Sequence, residues 1–248
     1  MKNIIIYYFE KKDTSQEEIN YHKIIINSLK LQIDISLALN WNPKDIIILI
    51  NKKFNYRNIR SIYFDQDEIP YSHYIYKIIG LIYLINKMKN NENIWYHDWD
   101  LFQIDELNYS FPKNKDIGVY YGTYYQRRNR PQGASIFLKK SAIDILEEAL
   151  KVQTDKKQNL HEFSLKTVLE NKQERVDKIN ACYNMGFTDF KKRLKEINED
   201  VKCIHNKFIK KRKSKQILSF IEKQSLSNKN TNKILPLFQD FIKNDRIK

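Results

Sequence analysis

The stretch Ile94-Trp95-Tyr96-His97-Asp98-Trp99-Asp100-Leu101-Phe102 sets two carboxylates either side of one tryptophan, between apolar neighbours. Its first part, Ile94 to Tyr96, reads as a very short strand, so the acidic triplet falls where that strand ends. Carboxylates flanked this way are expected to be partly buried, and a buried carboxylate needs a cation or strong donors nearby. Hard carboxylate oxygens suit Mg²⁺ or Mn²⁺, ions that keep some waters and bridge to phosphates. The plainer alternative is a pair of Asp residues bonded to neighbouring backbone or to Lys and Arg. A second triplet, Asp65-Gln66-Asp67, leads into the charged turn Glu68-Ile69-Pro70 and reads as a solvated loop.

Upstream of the triplet, strand and helix patterns alternate. Asn3 to Phe9, Asp45 to Ile50 and Ile59 to Phe64 are short apolar runs of the kind buried strands show. Between the first two, from about Glu17 to Leu39, Ile19, Ile24, Ile25, Leu29, Ile33 and Leu37 recur at helical intervals. Ser72 caps a second expected helix running to about Met88. This order predicts an α/β fold with a mostly parallel central sheet flanked by helices. Ligands collect at the carboxyl ends of such strands, and Asn51, Asp65 and the Asp98/Asp100 pair all follow expected strands.

The second half reads differently. Asp116 to Tyr125 and Gly133 to Leu138 are expected strands joined by a basic loop, Gln126-Arg127-Arg128-Asn129-Arg130-Pro131-Gln132. Helices are expected from Ser141 to about Val152 and from about Glu162 to Leu169, with a further strand at Val176 to Ile179. A basic run, Lys210-Lys211-Arg212-Lys213-Ser214-Lys215, precedes two amphipathic helical patterns. The domain expectation is therefore a main domain over 1–210 and a basic helical extension over 211–248. The 210–215 basic run reads as a solvated tail, with peripheral contact to an anionic membrane or to nucleic acid as the alternatives.

The formal net charge of +14 suits a polyanionic partner. The abundance of Lys, Asn, Ile and Tyr is equally what AT-rich codons produce. Cys182 and Cys203 are the only cysteines and show no zinc spacing, which argues against a disulfide scaffold and fits a reducing compartment. No apolar stretch reaches the length of a membrane span, and the expected location is cytoplasmic. The Tyr120, Tyr121, Tyr124, Tyr125 cluster reads as packing, or as a face for an acceptor ring.

A strand-ending Asp-x-Asp after a βαβαβ-like half resembles the metal-dependent GT-A glycosyltransferases, along landmarks spaced from Asn3 to about Lys210. The resemblance implies transfer of a sugar from a nucleotide-diphosphate donor of UDP or GDP type to an acceptor hydroxyl on a glycan, lipid or protein. It implies Mn²⁺ or Mg²⁺ as cofactor, with Asp100 the principal ligand, Asp98 shared between metal and ribose, and His205 in Cys203-Ile204-His205-Asn206-Lys207 completing the set. Lys207 would reach donor phosphates. Gly133 and Ala134 would lie against the donor sugar, and His161-Glu162 at a helix start would contact sugar, with Glu162 as base. Tyr7, Phe9 and Asp65 would line the base and ribose pocket, and Lys77 would support the metal motif from the preceding helix. The chain departs from the family pattern in having no Gly-rich loop and no Gly or Trp around the late His. Two rival readings are a nucleic-acid-binding protein, which lacks any recognised motif and is not favoured, and another metal-dependent nucleotide enzyme such as a nucleotidyltransferase.

Overall fold

The computed structural model describes residues 1–9, 16–64, 72–124, 127–155, 161–186, 201–205 and 211–244. The Ile-rich runs at 3–6 and 46–50 form strands buried on both faces; the run 59–64, also expected to be buried, instead forms the edge of the sheet, with Arg60 and Tyr63 exposed. β1 (Lys2–Tyr7), β2 (Ile46–Ile50) and β3 (Arg60–Tyr63) pair in parallel, and β4 (Asn93–His97) adds to the other side of β1, again in parallel. All five residues of β2 are buried, as expected of a parallel strand covered by helices on both sides. The period-2 alternation splits the side chains. Ile4, Ile6, Ile47 and Leu49 face one core with α2 (Ser72–Asn86), and Ile5, Ile46, Ile48 and Ile50 face another with α1 (Gln16–Ala38). Gly80 lets α2 sit close, since a Cβ there would lie 2.7 Å from Leu49 Cδ2.

In the second half β6 (Ile117–Tyr124) pairs antiparallel with β7 (Arg127–Lys139) and parallel with β8 (Val176–Ile179), while β7 pairs antiparallel with β4. The main sheet then runs β3-β2-β1-β4-β7-β6-β8, an α/β sheet that is mostly parallel as expected. The basic segment 127–132 is not a loop, and that expectation is corrected. Its backbone belongs to β7, with Arg127 opposite Tyr124, Arg130 opposite Gly122 and Pro131 opposite Tyr121. Pro131 is tolerated because β4 reaches only to Ser135 on that strand, and the ladder with β6 shifts register between Val119 and Tyr121. Cross-strand pairing thus outweighed the local loop signal. Helices α3 (Ile143–Asp155) and α4 (His161–Asn171) pack on the α2 side, contributing Ile145, Leu146, Ala149, Leu165, Val168 and Leu169 to that core.

After β4 the chain leaves the main sheet. β5 (Leu101–Gln103) pairs antiparallel with β10 (Cys203–His205), which pairs in parallel with β9 (Met185–Gly186). Helices α5 (Lys211–Ser225) and α6 (Lys229–Asn244) pack on this small sheet and on α1. Ile217, Phe220, Ile221, Ile234 and Phe238 are buried together with Phe102, Ile104, Ile204, Leu31 and Ile35. Asp105 ties the arrangement down, accepting from Lys202 Nζ at 2.5 Å and from Asn230 Nδ2 at 2.9 Å. Burial opposes ionisation of Asp105, yet Lys202 and Asn230 outweigh it and hold the carboxyl below its ordinary range. Cys182 and Cys203 are both buried free thiols. No described helix is long and apolar enough to cross a membrane.

Candidate metal and donor site

The acidic triplet is a tight turn that carries the chain from β4 to β5. The Leu101 N–H closes on the Asp98 carbonyl at 3.1 Å, and the Asp98 N–H donates to the Ala134 carbonyl of β7 at 2.9 Å. Trp99, the residue between the carboxylates, is an anchor. It is buried, with its ring edge-on to Tyr7 and Tyr21 at 6.1 and 6.0 Å and packed in the α1-side core. Sinking the tryptophan leaves the two Asp side chains to project together.

Asp98 accepts from Lys77 Nζ at 2.6 Å and from the Tyr96 hydroxyl. Burial, with the Asp98 charge beside it, pushes the Tyr96 phenol well up, so it stays protonated and donates. Asp100 is 2% exposed. Its neighbour is His205, whose Nε2 lies 3.3 Å from Asp100 Oδ1. The strand ladder produces this meeting, because β10 runs antiparallel to β5 with His205 opposite Leu101. A ligand atom from each of Asp98, Asp100 and His205 lies within 4.8 Å of the others. The 3.3 Å between His205 Nε2 and Asp100 Oδ1 is close to the spacing of about 3 Å that neighbouring ligands of one small divalent ion require. Two hard carboxylates, one of them deeply buried, with an imidazole beside them are a donor set a divalent cation fits.

His97, inside the same motif, points the other way. Its ring stacks on Trp95 at 4.1 Å, with Nε2 2.8 Å from the Asn3 side-chain amide and Nδ1 3.2 Å from the Asp98 carbonyl. Burial lowers its pKa from 6.5 to about 4, so the ring is neutral. It braces the turn from behind and offers no ligand atom to the cluster.

The remaining expected residues are placed as follows. Lys77, on α2, reaches the triplet as anticipated. Gly133 and Ala134 lie on β7 beside Asp98. Tyr7 and Phe9 sit at the carboxyl end of β1, Tyr7 half-buried and Phe9 6% exposed. The Phe9 backbone is clamped by Asn51, which accepts from its N–H at 2.7 Å and donates to its carbonyl at 2.8 Å. His161 and Glu162 open α4, but their side chains lie outside the described residues, as do Asp65 and Lys207. Sequence reading passed over Gln32, Ser36 and Asn3, which underlie the turn. Their signal was available: Ser28, Gln32 and Ser36 recur every fourth residue, a polar stripe on one face of the helix, and all three are buried.

A parallel half-sheet, an antiparallel β7, and an acidic turn at the end of β4 define a GT-A fold. No protein-family model and no curated protein matches the sequence. Solved structures do match. A glycosyltransferase involved in glycosylation of the major capsid of PBCV-1 aligns with a TM-score of 0.54 at 12% identity, over 83% of this chain and 93% of that one. The glycosyltransferase GlyE of Streptococcus pneumoniae TIGR4 aligns at 0.56 and 9% identity, over 85% of this chain and 56% of that one. The galactosyltransferase LgtC, in complex with donor and acceptor sugar analogues, aligns at 0.52 and 11% identity, over 85% of this chain and 89% of that one. The shared property is the GT-A-type fold of these glycosyltransferases.

Proposed function

We propose that the protein is a glycosyltransferase that moves a sugar from a nucleotide-diphosphate donor, of UDP or GDP type, to an acceptor hydroxyl. The observation that carries this reading is the convergence of Asp98, Asp100 and His205 at the carboxyl end of β4, in a fold whose solved relatives are glycosyltransferases. Asp98, Asp100 and His205 would hold Mn²⁺ or Mg²⁺, and the imidazole in the set favours Mn²⁺. When bound, such an ion would neutralise charge growing on the departing diphosphate.

The chain's own residues supply the rest. Lys77 and Tyr96 donate to Asp98 and keep it ionised and oriented. Tyr7, Phe9 and Asp65 would line the base and ribose pocket, and Lys207 would reach the phosphates. Gly133 and Ala134 would give the donor sugar a side-chain-poor stretch of β7 to pack against, and His161 would contact the sugar. In an inverting transfer Glu162 would take the proton of the acceptor hydroxyl as its oxygen bonds the anomeric carbon and the bond to diphosphate breaks.

Thermal shift with UDP, GDP, CMP and dTDP, each with and without Mn²⁺, tests this reading. One nucleotide should stabilise the protein only with the metal, and Asp100→Ala should abolish the response. Absence of any nucleotide response, together with salt-sensitive binding to RNA or DNA, would overturn it. Glu162→Gln should lose transfer while keeping the nucleotide response; full transfer by that variant would remove Glu162 from the role of base.

A further inference from the structure

The turn that carries both carboxylates is held from beneath by a side chain of α1. Gln32, 2% exposed on α1, places Nε2 2.5 Å from the Trp99 carbonyl and 3.1 Å from the carbonyls of Asp98 and Leu101. An amide nitrogen has two hydrogens, so one serves Trp99 and the other is shared. Gln32 Oε1 is buried and has no hydrogen-bond partner among the described residues. An orphaned buried oxygen is a cost that an apolar side chain of the same size would avoid. Core packing alone therefore gives no reason for a glutamine here.

The same helix face continues the network. Ser36 Oγ donates to the Gln32 carbonyl at 2.8 Å, and Asn3 Nδ2 lies 3.0 Å from Ser36 Oγ. Asn3 in turn meets His97, whose second ring nitrogen faces the Asp98 carbonyl. A chain of polar groups thus runs from α1 through β1 to β4 and returns to the carbonyl that Gln32 already holds.

We propose that Gln32 is a positioning residue: it fixes the Asp98–Leu101 turn in the one arrangement that projects both carboxylates toward His205. The consequence for cation binding rests on the reading of Asp98, Asp100 and His205 as a metal site. Three carbonyls point inward beneath the turn. The Asp98 carbonyl also accepts from the Leu101 N–H, but without Gln32 the Trp99 carbonyl must turn toward water, and the carboxylates on either side of it swing with it. Residues that orient ligands through such contacts typically set metal affinity by about 10–100-fold.

Gln32→Met keeps the volume and removes the donor. In the full chain without metal, hydrogen exchange at the Leu101 amide should quicken relative to wild type, while unfolding stays cooperative. Mn²⁺ affinity, read from the free-ion paramagnetic resonance signal, should fall by about 10–100-fold. Ile145→Val, a core change on α3 in the α2-side core, controls for a general loss of stability and should leave both readouts unchanged. Gln32→Asn, too short to span the three carbonyls, gives the same reading should Gln32→Met not fold. Wild-type exchange at Leu101 in these variants would overturn the proposal, whatever the metal does. Faster exchange in variants of a wild type that binds no Mn²⁺ would support Gln32 as the holder of the turn and overturn the metal site instead.

Discussion

Lys77 Nζ stands 2.6 Å from Asp98 Oδ1, joining the middle of α2 to the end of β4 through side chains only 8% and 14% exposed. Removing one partner of a buried pair leaves the other uncompensated, at a cost of about 3–5 kcal/mol. Lys77→Met is therefore expected to lose about 3 kcal/mol in urea unfolding without metal. Saturating Mn²⁺ should recover part of that loss, because the ion replaces the missing positive charge beside Asp98. A deficit that Mn²⁺ leaves unchanged would separate Lys77 from the site.

Asp100 presents the opposite case. Its carboxylate is buried, with the His205 imidazole 3.3 Å away. Asp100→Asn removes a buried charge without changing size, so metal-free stability should hold or rise by about 1 kcal/mol. The same variant should lose the melting-temperature gain that Mn²⁺ gives the wild type. Differential scanning calorimetry with and without the ion reads both effects.

His97 makes stability depend on pH. Its folded pKa of about 4 lies below the ordinary 6.5, so the unfolded chain binds the extra proton first. Stability from this group is complete above pH 6.5, falls as pH drops, and levels off below about 4. The full drop is on the order of 3 kcal/mol. Urea titrations from pH 7 to 4 should show it, and His97→Gln should flatten the slope by about one proton.

Gly80→Ala should destabilise, against the usual helix preference. Alanine gains about 1 kcal/mol over glycine in a helix, but its Cβ would meet Leu49 Cδ2 at 2.7 Å and Ile6 Cδ1 at 3.3 Å. Leu49 and Ile6 are fully buried and have little room to yield. A net loss of about 1–3 kcal/mol in chemical denaturation is expected.

The last two helices should prove inseparable from the site. Phe238 is fully buried, with its ring 5.8 Å from Phe102 on β5, next to the acidic turn. Phe238→Ala should cost about 3–5 kcal/mol and weaken Mn²⁺ affinity with it. Removal of 211–248 should expose the apolar faces of α1 and β5 and yield aggregated protein, measured by size-exclusion chromatography. A monomeric, metal-binding fragment 1–210 would instead make those helices a separable extension.

Much of the main sheet was legible because its signals are local. Runs such as Ile46–Ile50 can only be strands buried on both faces, and the apolar spacing of α1 survives its buried polar stripe. The small sheet was not legible. β5, β9 and β10 have three, two and three residues, too few for any periodic signal. Arg127 to Gln132 carried the charge and proline of a loop, and became strand because β6 supplied a partner along its length.

What the sequence by itself determined was the order of elements and the place of an acidic turn after a short strand, since both follow from near-neighbour patterns of apolar and polar residues. Only the tertiary structure decided what meets that turn. His205 arrives because β10 pairs with β5 in one register, Lys77 because α2 packs across the sheet, and Gln32 because the polar stripe of α1 faces inward under Trp99. Each meeting joins residues far apart in the chain, and burial and strand register, which no local pattern encodes, bring them to hydrogen-bonding distance.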